Sequence, residues 1–162
     1  MTLVSYIEQK LNRPDLGLLI LRVVFGLLIT TFGVAKLFGG GAMLAEVGGA
    51  LAKFGITFAP MFWGLLSALT ETLGGLCILL GIFFRPAAAL LFFNMIVAIT
   101  SMWGDGPDYS SFSAFMGYVQ KIVLPVAFCA IFLALLLTGP GKYAVHKSSG
   151  GKGGGGAGKS KD

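Results

Sequence analysis

Four long apolar runs, at residues 16–38, 60–84, 86–103 and 115–138, constrain this chain more than any other feature of its sequence. A helix needs roughly 20 mostly apolar residues to cross the hydrocarbon of a bilayer. Each run is long enough, the third being short but bounded by Pro86 and Trp103. The expected fold class is therefore all-α, a four-transmembrane-helix bundle with short interfacial helices. Composition agrees. Only 12% of the residues are charged and 56% are hydrophobic, whereas soluble domains carry about 25% charged residues. Pro86 suits the first turn of a helix, where no N–H partner is lost. Pro125 lies inside the fourth run and is expected to kink it.

The chain divides into an N-terminal segment at 1–15, the membrane domain at 16–138 and a tail at 139–162. In the first segment Leu3, Val4, Ile7 and Leu11 share one helical face, so it is expected to lie along the membrane surface. The first apolar run is not expected to be a removable signal peptide. It is too long, it contains Arg22, and acidic Glu8 precedes it. Between the first and second runs, Met43, Leu44, Val47, Leu51 and Phe54 also share a face, which suggests a short interfacial or re-entrant helix.

The formal net charge of +5 is not a nucleic-acid signal. Lys142, Lys147, Lys152, Lys159 and Lys161 lie in the Gly-rich tail, and no basic stripe with interleaved aromatics occurs. The tail reads as a flexible linker with a weak attraction to anionic lipid. Cys77 and Cys129 have no CxxC spacing and read as small buried apolar residues. The single histidine, His146, is in the tail, so the chain has no bis-histidine haem site. No metal ligands are expected, and no phosphate-loop or dinucleotide motif occurs.

Orientation follows from Lys and Arg near the ends of the runs. Lys10, Arg13, Arg85, Lys142 and Lys147 fall on one side. Only Lys53 falls on the other, where the last loop offers Asp105 and Asp108. Both termini are therefore expected in the cytoplasm.

Charges inside the apolar runs carry the functional signal, because intramembrane ionisable residues usually mark function. In the second run Ser67, Glu71, Gly74, Ile78 and Gly81 share a face. In the first run Arg22, Gly26, Thr30, Gly33 and Lys36 form a similar stripe. At the helical rise, Arg22 lies roughly 9 Å, Glu71 roughly 20 Å and Lys36 roughly 30 Å from the cytoplasmic end. Either cation, or both, can serve as the partner of Glu71. A latch that fixes helix register and a ligand site are equally open readings of Glu71 and Arg22. Lys36 and Lys121 near the outer boundary read more readily as snorkelling cations. Asn94 and Gln120 read as interhelical hydrogen-bond formers. The candidate ligand-binding set is Arg22, Thr30, Gly33, Lys36, Ser67 and Glu71, with Glu71 as a proton relay. A pocket between the first and second runs, opening toward the outer leaflet, is the expected location.

At these residues the chain resembles the DoxX family. The resemblance rests on "LRVVFGLLITTFGVAKLFG" and on "ETLGGLCILLGIFFRPAAALL". The family pattern has an Arg, spaced glycines and a Lys in the first helix, then a Glu with a Gly pair, a further Gly and a basic turn. Arg22, Gly26, Gly33, Lys36, Glu71, Gly74, Gly75, Gly81 and Arg85 match it. The resemblance implies a four-helix protein of the bacterial inner membrane, linked to quinone-coupled sulfur or thiol oxidation and to oxidative-stress complexes. The chain has no cysteine pair for thiol exchange.

Three functions compete at this level. One is the membrane subunit of an oxidoreductase, holding a quinone and no covalent cofactor, with electrons supplied by a partner subunit. Another is a small transporter or proton carrier that titrates Glu71. For this, four spans are few and no inverted repeat is legible, a deficit that a homo-oligomer would repair. The third is an assembly or anchoring protein without its own chemistry.

Overall fold

The computed structural model describes residues 13–103, 106–107 and 109–145. The surface segment expected at the N-terminus, most of the Gly-rich tail, and Asp105 and Asp108 lie outside the described residues. Within them the chain forms α1 (Pro14–Phe38), α2 (Gly40–Gly49), a 3₁₀ helix (Ala50–Phe54), α3 (Pro60–Leu80), α4 (Phe84–Trp103) and α5 (Phe112–Thr138). The four longer α-helices, α1, α3, α4 and α5, are long and apolar enough to span a membrane. This is the all-α bundle expected from the four runs, and the chain is a multi-span membrane protein.

The helix ends follow local chemistry. Pro14 opens α1 and Pro60 opens α3, positions at which the missing N–H has no helical partner to lose. Ser111 caps α5, its side chain accepting from the Ala114 N–H at 3.1 Å. α1 passes to α2 through Gly40 at φ +78°, a left-handed corner that a Cβ would disfavour. The second apolar run stops being helical at Leu80, where Gly81 takes a left-handed C-cap conformation. The turn therefore begins before Phe84, which instead opens α4. α5 runs through Pro125 as one helix.

α1 packs along α3, α3 touches α4, and α4 packs along α5. Phe25 and Phe32 of α1 meet Phe128 of α5 edge-on, with ring centroids 5.6 and 6.0 Å apart, which closes the ring of four. Ile29, Ile78, Leu91, Phe128, Phe132 and Leu135 fill the centre. Large apolar side chains such as Leu27, Leu73, Leu90 and Leu137 point outward, as a lipid-facing surface requires. α2 lies across α3, and the 3₁₀ helix reaches α4. Asp15 at the start of α1 pairs with Lys142 beyond α5 at 3.3 Å, so both ends of the membrane domain are on one side.

The glycine stripes are used for close packing. A Cβ at Gly33 would stand 2.7 Å from the Ala68 carbonyl oxygen, and one at Gly26 would stand 3.0 Å from the Gly75 carbonyl oxygen. The face of α3 that meets α1 thus carries Ala68, Thr72 and Gly75. Of the stripe expected to face α1, Ser67 and Gly74 are turned toward α4, where a Cβ at Gly74 would meet Leu91 at 3.1 Å, while Glu71 reaches both Lys36 of α1 and Asn94 of α4. Adjacent residues of a helix differ by about 100° in direction (3.6 residues per turn), so a shift of one position redirects the stripe to another neighbour.

Candidate functional site

Glu71 sits mid-way along α3 with only 2% of its side chain exposed. Its Oε1 accepts from Lys36 Nζ at 2.6 Å and from Asn94 Nδ2 at 2.9 Å. Asn94 is held in turn, its Oδ1 accepting from Ser67 Oγ at 2.9 Å. The amide orientation follows from this network, since a flipped Asn94 would set its oxygen against the carboxylate. One ion pair and two hydrogen bonds therefore tie α1, α3 and α4 together at a single depth. Both donors fall on the same carboxylate oxygen. Glu71 Oε2 is buried and has no hydrogen-bond partner among the described residues, an arrangement that is uncommon because buried polar groups are normally satisfied.

The group lines a cavity of about 760 Å³, within the range typical of small-molecule sites. Lys36, Ser67, Glu71 and Asn94 form its polar end. α2 and the 3₁₀ helix, through Val47, Gly48 and Leu51, contribute another wall. α2 comes close enough to do so because a Cβ at Gly48 would stand 2.6 Å from Gly64 N on α3. Lys53 of the 3₁₀ helix donates to the Ser101 carbonyl of α4 and ties this wall down. Leu66, Leu90 and Phe93 also line the cavity, with exposures of 47%, 59% and 62%. On transmembrane helices such exposure faces lipid. Trp63 lines it as well, with a buried indole N–H that lacks a partner among the described residues.

Arg22 serves elsewhere. It is 1% exposed, and its guanidinium donates to the carbonyls of Ile78 at 3.1 Å, Leu79 at 3.2 Å and Pro140 at 2.8 Å. Its charge also lies 5.6 Å from the centre of the Phe84 ring. It thereby satisfies carbonyls at the C-terminal end of α3, where the helix dipole favours a cation, and holds down the chain beyond α5. Among the described residues Lys36 alone forms an ion pair with Glu71.

Of the candidate residues, Lys36, Ser67 and Glu71 therefore meet at one cavity, and Arg22, Thr30 and Gly33 do not line it. Thr30 donates to its own helix at Gly26 O, 2.7 Å away, and Gly33 is closed against α3. The pocket is not between the first and second spans as expected, because the glycines bring α1 and α3 together there. It lies on the other side of α3, under α2. Lys36 turns inward to the carboxylate and is not a snorkelling cation. Asn94 makes the expected interhelical bond and also lines the cavity. Sequence reasoning missed Trp63 and the wall built by α2. The glycine pair Gly48–Gly49 within an amphipathic connection was the available signal for close packing of that segment.

A family model described as DoxX matches residues 17–104, from α1 through α4. No curated protein and no solved structure matches the chain. The family match takes in more than half of the 162 residues and includes Arg22, Lys36, Glu71 and Asn94, and on that extent the chain belongs to the DoxX family.

Proposed function

We propose that this DoxX protein is the quinone-binding membrane subunit of an inner-membrane oxidoreductase. The observation that carries this reading is a cavity with Lys36, Ser67, Glu71 and Asn94 at its polar end and the exposed apolar Leu66, Leu90 and Phe93 on its wall. A ligand that arrives through Leu66, Leu90 and Phe93 must be soluble in the bilayer. A ligand that meets Lys36 and Glu71 must carry polar oxygens. A quinone has both properties, and when bound it supplies two-electron, two-proton redox chemistry from within the membrane.

The chain's own residues have distinct parts. Lys36 uses one ammonium hydrogen on Glu71, and the group has further donors for a ring oxygen. Glu71 is the group that accepts or returns a proton. Asn94 and Ser67 position that carboxylate. α2 and the 3₁₀ helix shield the polar end and keep the interactions strong by limiting the access of water. In this reading electrons come from a partner subunit.

Lipid extraction tests the reading. The full-length protein in nanodiscs of native lipid should retain quinone above the level in empty nanodiscs, as measured by mass spectrometry. Leu90→Trp, which adds bulk to the lipid-facing wall without touching a charge, should lower that amount several-fold. In a Trp103→Phe background Trp63 is the remaining tryptophan, and duroquinone should quench its fluorescence saturably. Background levels of quinone together with unsaturable quenching would leave the anchoring function in its place.

A further inference from the structure

We infer that water and protons reach the polar end of the cavity from one side of the membrane only, the side opposite the ends of the membrane domain. The inference adds a direction to the quinone-binding reading and, for its consequence, rests on that reading. The cavity wall follows α4 from Leu90 to Met102, roughly 18 Å at the helical rise. Asn94 stands within that length, and Ser101 lies roughly 10 Å beyond it, toward the end where the 3₁₀ helix meets α4. At that end the wall includes Glu46 of α2 and Lys53 of the 3₁₀ helix, both exposed. α2 and the 3₁₀ helix connect α1 to α3 on the side opposite Asp15 and Lys142. Exposed charges on this connection stand in water or among headgroups, because hydrocarbon makes an ionised side chain costly. Lys36 lines the same cavity with 21% of its side chain exposed. Charged groups therefore mark both ends of the run from the surface to Asn94.

The two edges of the wall differ. Toward α3, α2 is sealed backbone against backbone, since a Cβ at Gly48 would stand 2.6 Å from Gly64 N and one at Gly64 would stand 2.6 Å from the Leu44 carbonyl carbon. Toward α4, the 3₁₀ helix is joined through a side chain, Lys53 donating to the Ser101 carbonyl. Side chains yield where backbones do not, so the edge against α4 is the entrance. Val97 and Ala98, between Asn94 and Ser101, line the way in and are half-buried. In the other direction the core closes. Ile78 and Leu91, both with 0% exposure, lie between the polar end and the side of Asp15 and Lys142. A Cβ at Gly74 would meet Leu91 at 3.1 Å, and one at Gly26 would meet the Gly75 carbonyl oxygen at 3.0 Å. Among the described residues of α1, the next charge on that side is Arg22, which is 1% exposed and already donates to three carbonyls. When a quinone takes up two protons together with two electrons from the partner subunit, or a hydroquinone returns them, the protons are exchanged on the side of α2.

Cysteine accessibility tests the direction. Ala98→Cys and Ser67→Cys, each in a Cys77→Ala, Cys129→Ala background, are made in the full-length protein and reconstituted into liposomes. A membrane-impermeant trimethylammonium methanethiosulfonate is added to one side at a time, and a C-terminal tag reports which side that is. Both cysteines should be modified several-fold faster from the side opposite the tag, as followed by mass spectrometry. Ile78→Cys should stay unmodified from the side of the tag. Leu51→Trp, which adds bulk to the wall of the 3₁₀ helix, should slow the modification of Ser67→Cys. Should Ser67→Cys fail to fold, Ala98→Cys decides in its place. Equal rates from the two sides, faster modification from the side of the tag, no modification from either side, or a rate that Leu51→Trp leaves unchanged overturns the inference. Duroquinone separates its fate from that of the quinone-binding reading. Protection of either cysteine by duroquinone supports that reading whichever side is open. One-sided modification that duroquinone does not slow supports the inference and counts against the reading.

Discussion

Glu71 and Arg22 are both charges removed from water, and each is satisfied in its own way. Arg22 spends its donors on three backbone carbonyls and so acts as a staple between α3 and the chain after α5. Glu71 depends on Lys36 and Asn94. Removing one partner of a buried ion pair is far more damaging than removing both, because the survivor is left uncompensated. Lys36→Met alone should therefore lower stability by about 3–5 kcal/mol, and adding Glu71→Leu should recover most of that loss. Steric-trap unfolding in bicelles measures both. A double variant no better than the single one would mean that the pair contributes nothing beyond its separate charges. An intramembrane Glu was legible as a site from its position alone. Its partner was not, because the axial estimate left Arg22 and Lys36 equally distant, and the choice depends on how α1 is rotated against α3.

At the scale of elements, the seam between α1 and α3 is set by small residues. Gly33 has no room for a methyl group, with Thr72 N 2.5 Å and the Ala68 carbonyl oxygen 2.7 Å from an added Cβ. Gly33→Ala should force the helices apart at a cost of roughly 1–3 kcal/mol. It should also move Lys36 relative to Glu71, since both hang from that seam. Gly117 on α5 has nothing within 4 Å of an added Cβ. Gly117→Ala should be neutral or stabilising by up to about 1 kcal/mol. Thermal unfolding of the two variants in the same detergent compares them, and equal Tm values would show that the seam tolerates side chains. The glycine periodicity was visible in the sequence, but its purpose was not. Small residues suit a slot and a tight contact equally, and only the position of the facing backbone distinguishes them.

At the scale of the whole molecule, the distribution of charge sets the orientation. Arg13, Arg85 and Lys142 belong to the side on which α1 begins and α5 ends, and the connection through α2 belongs to the other. By the excess of Lys and Arg, both termini are expected in the cytoplasm. A reporter active only in the cytoplasm should work when fused after Lys142 and fail when fused at Gly106; the opposite pattern would reverse the orientation. With both termini in the cytoplasm, the cavity, walled in part by α2, would lie toward the outer leaflet.

The sequence alone determined that the chain is a bundle of four membrane helices with buried charges among glycines. That much follows from the bilayer as solvent. Hydrocarbon demands long apolar helices with internally bonded backbones, and it makes any charge within them conspicuous. Tertiary structure decided which charges meet, and on which side of α3 the cavity opens. Those outcomes depend on helix rotation and axial offset, which are set by where backbones approach through Gly26, Gly33, Gly48, Gly64 and Gly75. A periodic pattern records that a face is small or polar. It does not record which neighbour that face will meet.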